Sequence, residues 1–403
     1  MSRRERVLAE RQPTFGRLFA LSAARCAIVV AVLVCLGGCM TIPRQSFSHA
    51  EAANATPPGF ANVRFDEDSI AFVDSLRKEV RPDQAGAVNV LALSGGGSNG
   101  AYGAGVMYGW SKSGARPDFQ LVTGVSAGAP LAVFAFLGPA WDERLKSAFA
   151  GGSTEHLLQS RGLLGLLTPG LYSKARLRSL FDGYVDEDLI RAVASEHAKG
   201  RRLLIATTDL DSERLTVWDM GAIAAHGGPE ARILFRDVMV ASASIPGLFP
   251  PSFISVQSGD RQFREMQVDG QVVDGFLGVF HPIMLAHDHA AGRTLRLYVL
   301  INGALDSRFD VTPDGTVPIV ARALAVGEKA ALRSQLIATT DYCRRNGVGL
   351  RISQLSDGEL DRPLDFHARH VRELFEAGLV AAVSGTAWRA PEEIVAIDPG
   401  GVR

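Results

Sequence analysis

The chain contains the stretch Leu91-Ala92-Leu93-Ser94-Gly95-Gly96-Gly97-Ser98-Asn99-Gly100 and, further along, Gly124-Val125-Ser126-Ala127-Gly128. The first stretch joins a predicted buried strand, 88–93, to a predicted helix, 100–110, whose apolar residues recur at helical spacing. The second joins a predicted strand, 119–123, to a helix over 128–136. Strands followed at once by helices indicate an α/β fold.

The second stretch has the pattern G-x-S-x-G, in which a serine occupies a cramped turn between a strand and a helix. Gly124 and Gly128 are expected there because a Cβ atom at either position would clash with neighbouring elements. The free N–H groups and dipole of the helix favour the negative charge that develops during attack. We therefore predict that Ser126 is a nucleophile, which still needs a base.

The three consecutive glycines Gly95, Gly96 and Gly97 predict an oxyanion hole, because N–H groups without side chains can converge on one oxygen atom. The same run also satisfies the dinucleotide-binding pattern G-x-G-x-x-G. That alternative requires an acidic residue roughly 20 positions on, at the end of the next strand. Ser126 occupies that region instead, so the oxyanion hole is favoured and no cofactor is expected.

Two kinds of base remain open. Asp269 ends a short apolar strand, and the following Gly270 permits a sharp turn that leaves the carboxylate uncrowded. A conventional Ser-His-Asp site would instead require one of the histidines His281, His287 and His289. An aspartate base should be partly desolvated, because burial raises the pKa of a carboxyl group toward the useful range.

Two further blocks follow along the chain: Ala241-Ser242-Ala243-Ser244-Ile245-Pro246-Gly247-Leu248-Phe249-Pro250-Pro251 and Val268-Asp269-Gly270. Together with the glycine run and the G-x-S-x-G turn, these blocks resemble the patatin-like phospholipases in identity and order. The resemblance implies a lipid acyl hydrolase with a Ser126–Asp269 dyad, an acyl-enzyme intermediate and oxyanion donors at Gly95 to Gly97. The longer block should break a helix over 233–243 and pack beside the turn at Ser126.

The chain departs from the family pattern at two positions. Asn99 stands where the family usually carries a basic residue, and Gln271 follows Asp269-Gly270 where the family has Gly or Ala. Neither change removes the predicted nucleophile, base or backbone donors. The preferences for head group and acyl chain stay open, as does the role of the loop 151–172, which is either a lid or an ordinary surface loop.

The N-terminus predicts export. Six arginines precede an apolar run, 26–36, which is too short to cross a bilayer comfortably. Leu36-Gly37-Gly38-Cys39 resembles a bacterial lipobox, which implies a signal peptide over 1–38, lipidation of Cys39 and attachment on the periplasmic side of a cell-envelope membrane. A signal-anchor helix is the alternative. The region 39–85 is read as a tether and linker.

The rest of the chain predicts a three-layer α/β/α architecture around a mostly parallel sheet. It divides into a catalytic domain, 86–300, and an α/β extension, 301–403, packed on the same domain. Further strands are expected at 202–207, 215–218, 295–301 and 349–352, with helices at 173–184, 187–198, 318–346 and 365–384. The long helix should pack on the sheet through Ala321, Leu324, Ala325, Leu332 and Leu336.

The net charge and the spacing of acidic residues limit the kinds of partner that the chain can bind. A formal net charge of -1 argues against nucleic acid, so the expected partner is a membrane lipid substrate. Asp209 and Asp211 have no His or Cys neighbours and are predicted to be turn residues rather than metal ligands. Besides the hydrolase, a lipoprotein that keeps the fold but only binds lipid or protein remains possible.

Overall fold

A nine-stranded mixed sheet forms the centre of the computed structural model. The structure describes residues 44–394 apart from 68, 156, 159–169, 278–293, 308, 310 and 357. In chain order the strands are β1 (Arg64–Asp66), β2 (Ala87–Leu93), β3 (Leu121–Val125), β4 (Arg202–Asp209), β5 (Arg214–Asp219), β6 (Ser252–Ser258), β7 (Arg261–Asp269), β8 (Thr294–Ile301) and β9 (Gly349–Gln354).

The helices surround this sheet. In chain order they are α1 (His49–Ala53), α2 (Ile70–Glu79), α3 (Gly100–Lys112), α4 (Gly128–Leu137), α5 (Asp142–Ala150), α6 (Lys174–Asp182), α7 (Glu187–Ala198), α8 (Met220–His226), α9 (Gly228–Ser242), α10 (Thr316–Arg345) and α11 (Ala368–Val383). All of these elements belong to the compact unit that begins at Phe47.

The sheet separates two hydrophobic clusters, which confirms the predicted three-layer architecture. Successive residues of β2 enter opposite clusters, because side chains alternate along a strand. Leu91 and Leu93 pack with α3, α4 and α11, whereas Val90 and Ala92 pack with α2 and α10. The buried core therefore lies on both faces of the sheet.

Strand order is β1-β5-β4-β3-β2-β8-β9, and the five strands from β4 to β9 run parallel. The prediction of a mostly parallel sheet is confirmed for these strands, but β5, β1, β6 and β7 pair antiparallel. A tight turn causes the reversal after β4, where Asp209 accepts the N–H of Asp211 at 3.0 Å and the hydroxyl of Ser212 at 2.9 Å. Asp209 is thus a turn residue, as predicted.

The packing predicted for α10 is only half right. Leu332 and Leu336 are buried against the sheet, but Leu324 is 58% exposed, and Ala321 and Ala325 are exposed as well. At about 1.5 Å per residue this 30-residue helix is about 45 Å long, whereas a strand of eight residues spans only about 27 Å. The N-terminal part of α10 therefore has no sheet beneath it.

Several predictions fall outside the described residues: the signal peptide, the lipidation site Cys39, the histidines His281, His287 and His289, and most of the loop 151–172. Within the described part of the chain, no helix is long and apolar enough to span a bilayer.

Candidate active site

Ser126 lies on a sharp turn between β3 and α4. Its φ angle is +55°, a left-handed conformation that is uncommon for any residue other than glycine. A Cβ at Gly124 would lie 2.4 Å from the carbonyl oxygen of Gly128, and a Cβ at Gly128 would lie 2.5 Å from that of Leu93. Only glycine fits at either position, which agrees with the steric reason given for the sequence pattern.

Asp269 meets Ser126 from a neighbouring part of the sheet. The Ser126 hydroxyl donates to Asp269 Oδ2 at 2.5 Å, and both residues are at least 97% buried. Asp269 ends β7, opposite Thr207 of β4, and β4 is also the parallel neighbour of β3. Gly270 is needed after it because a Cβ there would approach the Ala206 carbonyl oxygen to 2.6 Å.

Burial raises the pKa of Asp269 to about 7, well above its ordinary value of 3.8. The hydrogen bonds from the Ser126 hydroxyl and the Gln271 N–H act in the opposite direction, and the charge of Glu328 adds a small upward contribution. A carboxylate with a pKa near neutrality is a far better proton acceptor than a solvated aspartate. The partial desolvation expected of an aspartate base is therefore present.

The glycine turn lies directly against the nucleophile. A Cβ built on Gly95 would stand 3.0 Å from the Ser126 Cβ. Gly96 and Gly97 have φ angles of +146° and +57°, which favour glycine. No hydrogen bond within the described residues uses the N–H groups of Gly95, Gly96 or Gly97. These N–H groups have no hydrogen-bond partner within the described residues, as the donors of an oxyanion hole require.

Two residues near the site had no functional role in the sequence analysis. Ser242 Oγ accepts the Ser126 N–H at 3.0 Å and donates to the Ala206 carbonyl at 2.8 Å, so it fixes the strained turn. The Gln271 side chain covers Gly95, where its Oε1 lies 1.9 Å from the position of a Cβ. The signal for Ser242 was its place in the block 241–251, which packs beside the turn as predicted.

No described histidine forms a hydrogen bond with Ser126 or Asp269, and no described group of three His, Cys, Asp or Glu residues could hold a metal ion. The three candidate histidines, His281, His287 and His289, lie outside this part of the chain.

Comparison with known proteins agrees with this geometry. Residues 91–287 match a family model described as patatin-like phospholipase. The matched part of the chain contains the glycine turn, Ser126 and Asp269, so the match supports a lipid-ester hydrolase.

Solved structures similar to this chain include VipD from Legionella pneumophila and human GIVD cytosolic phospholipase A2. VipD has a TM-score of 0.34 and 11% identity, over 77% of this chain and 70% of VipD. The human enzyme has a TM-score of 0.31 and 12% identity, over 74% of this chain and 52% of its own. No curated protein matches the chain in sequence.

Proposed function

We propose that this protein is a membrane-anchored lipid acyl hydrolase that cleaves carboxylic esters of phospholipids or related acyl lipids through a Ser126–Asp269 dyad. The observation that carries the proposal is the 2.5 Å hydrogen bond from Ser126 Oγ to a buried carboxylate. The family match of residues 91–287 gives independent support for the class of substrate.

Acylation begins when Asp269 Oδ2 takes the hydroxyl proton of Ser126 and Oγ forms a bond to the carbonyl carbon of the ester. The carbonyl oxygen becomes an oxyanion, which the N–H groups of Gly95, Gly96 and Gly97 stabilise. The tetrahedral intermediate then collapses and breaks the ester bond. Protonated Asp269 gives its proton to the leaving alcohol, and the acyl group stays on Ser126.

Deacylation repeats these steps with water as nucleophile. Asp269 removes a proton from water, and the resulting hydroxide adds to the acyl carbon. Collapse of the second tetrahedral intermediate breaks the bond to Ser126 Oγ, which recovers its proton from Asp269 while the fatty acid leaves. One carboxyl group serves as base and acid in turn, and its pKa of about 7 suits both roles.

A fluorophosphonate probe tests the nucleophile. We expect covalent labelling that is lost in Ser126→Ala, with ester hydrolysis reduced by at least about 1000-fold in Ser126→Ala and Asp269→Asn. Ser384→Ala, which changes an exposed serine just after α11, is the matched control and should label normally. A folded wild-type protein without Ser126-dependent labelling would show that it only binds. Equal losses in alanine variants of His281, His287 or His289 would indicate a histidine base.

Membrane attachment is proposed through lipidated Cys39, with the N-terminal part of α10 as a second contact. Ile319, Val320, Leu324 and Val326 are each at least 50% exposed. One leaflet of a bilayer can accept an exposed apolar face of this kind on part of a helix, although the helix could not cross the bilayer. Metabolic labelling with a fatty acid should be lost in Cys39→Ser and retained in Cys26→Ser. If the N-terminus is a signal anchor instead, neither substitution should change the labelling.

The substrate class is best resolved by rates on phospholipids, lysophospholipids and short-chain esters. Gln271 covers Gly95 where the family has a residue with little or no side chain. We expect Gln271→Ala to improve kcat/KM for bulky acyl groups relative to acetyl esters. An unchanged ratio would remove Gln271 from the determinants of specificity.

A further inference from the structure

A segment outside the matched range 91–287 holds the glycine turn in place. The Ser98 N–H donates to the Pro363 carbonyl at 2.9 Å, and the Ser98 hydroxyl donates to the Arg362 carbonyl at 2.8 Å. Gly97 lies so close that a Cβ would stand 2.0 Å from the Pro363 carbonyl oxygen. The position of the turn therefore depends on residues 361–363, between β9 and α11.

Asn99 connects this contact to a charged pair. Its Nδ2 donates to Asp361 Oδ1 at 2.7 Å, and its own N–H donates to the Gly96 carbonyl at 3.0 Å. Asp361 Oδ2 in turn accepts from Lys329 Nζ at 3.1 Å, and Lys329 also donates to the Asp306 carbonyl at 3.0 Å. The family usually carries a basic residue where this chain has Asn99. Here Lys329 on α10 supplies a positive charge, and the carboxylate of Asp361 lies between it and Asn99.

The charges have opposite effects on a reaction at this turn. A lone carboxylate next to Asn99 would oppose the negative charge that develops on the substrate oxygen. The side chains of Asp361 and Lys329 are only 11% and 26% exposed, so water screens their charges incompletely. The positive charge of Lys329 offsets the negative charge of Asp361, and Asp361 still accepts the hydrogen bond from Asn99.

We propose that Asp361 and Lys329 are positioning residues for the oxyanion hole: Asp361 fixes the glycine turn through Asn99, and Lys329 cancels its charge. The inference rests on the proposed function, since it assigns these residues to the same reaction. Asp361 and Lys329 lie in the C-terminal extension, outside the matched range 91–287. The inference therefore assigns this extension a role in the reaction.

The test compares four variants on a soluble short-chain ester, with kcat expressed per site that titrates with fluorophosphonate. Asp361→Ala should lower kcat about 10- to 100-fold with little change in KM, because the turn is released. Lys329→Met should lower kcat about tenfold, because it removes a positive charge that offsets the carboxylate of Asp361. Asp361→Asn, alone or combined with Lys329→Met, keeps an acceptor without the charge and should stay within about threefold of wild type.

Asp341→Asn is the matched control, because it breaks an ion pair with Arg344 on the same helix. Rescue of Lys329→Met by Asp361→Asn distinguishes a charge effect from loss of folding, which a second substitution would not repair. Wild-type rates in both Asp361→Ala and Lys329→Met, or a double variant no faster than Lys329→Met, would overturn this inference alone. A wild-type protein that does not label at Ser126 would refute the proposed function and the inference with it.

Discussion

The buried carboxylate of Asp269 should cost the protein stability, and Asp269→Asn should recover it. Asn is nearly isosteric with a protonated carboxyl group and keeps an acceptor for the Gln271 N–H, which donates at 2.9 Å. Burial raises the pKa of Asp269 from 3.8 to about 7. At about 1.4 kcal/mol for each pH unit, ionising Asp269 in the folded protein costs about 4 kcal/mol.

The sign follows from proton binding. Between about pH 4 and pH 7 the folded protein holds a proton on Asp269 that the unfolded chain has released, so the contribution of Asp269 to wild-type stability falls as the pH rises and levels off above about 7. Asn cannot titrate, and acids that do not interact with residue 269 affect both proteins equally. From pH 5 to pH 8 the variant should therefore gain about 3 kcal/mol relative to wild type.

Urea denaturation of both proteins at pH 5 and pH 8 measures this difference directly. Asp274→Asn is the matched control: burial and the charge of Glu67 raise the pKa of Asp274 to about 7 as well, but Asp274 makes no hydrogen bond to Ser126. The Asp274→Asn variant should also gain stability relative to wild type from pH 5 to pH 8. It should keep its activity, whereas Asp269→Asn should lose activity. A relative gain below about 1 kcal/mol for Asp269→Asn would refute the reasoning.

Three other predictions follow from the same structure. The pH dependence of kcat/KM should rise through about pH 7, because Asp269 must be ionised to accept the Ser126 proton; a flat profile from pH 5 to pH 8 would contradict this. Gly95→Ala should lower kcat at least about 100-fold, because its Cβ would stand only 3.0 Å from the Cβ of Ser126, which the turn holds in place. Gly327→Ala, with no atom within 4 Å of the added Cβ, should leave the rate unchanged. Leu324→Glu should reduce co-sedimentation of the protein with phospholipid vesicles, measured without the lipid anchor. Val380→Glu, which changes an exposed residue of α11, should not reduce it. Equal binding by the two variants would show that α10 does not contact the membrane.

Local patterns in the sequence were sufficient for the elements nearest Ser126. Strand β2, the glycine turn and α3 follow from an apolar run, three glycines and a helical repeat, because each is determined within a few neighbouring residues. The helix predicted at 187–198 also begins and ends at those residues. The antiparallel hairpin β6–β7 was not foreseen in full, although the two residues between its strands, Gly259-Asp260, are a typical hairpin turn.

Local sequence patterns specify the chemical groups of the site: a strained serine turn, a set of glycine donors and an aspartate followed by glycine. Their surroundings come from the packing of distant segments. This packing buries Asp269 enough to raise its pKa, covers Gly95 with Gln271, and braces Asn99 with Asp361 and Lys329. The physical reason is that burial and charge compensation depend on residues far apart in the chain, whose meeting is fixed by the packing of the whole fold rather than by local pattern.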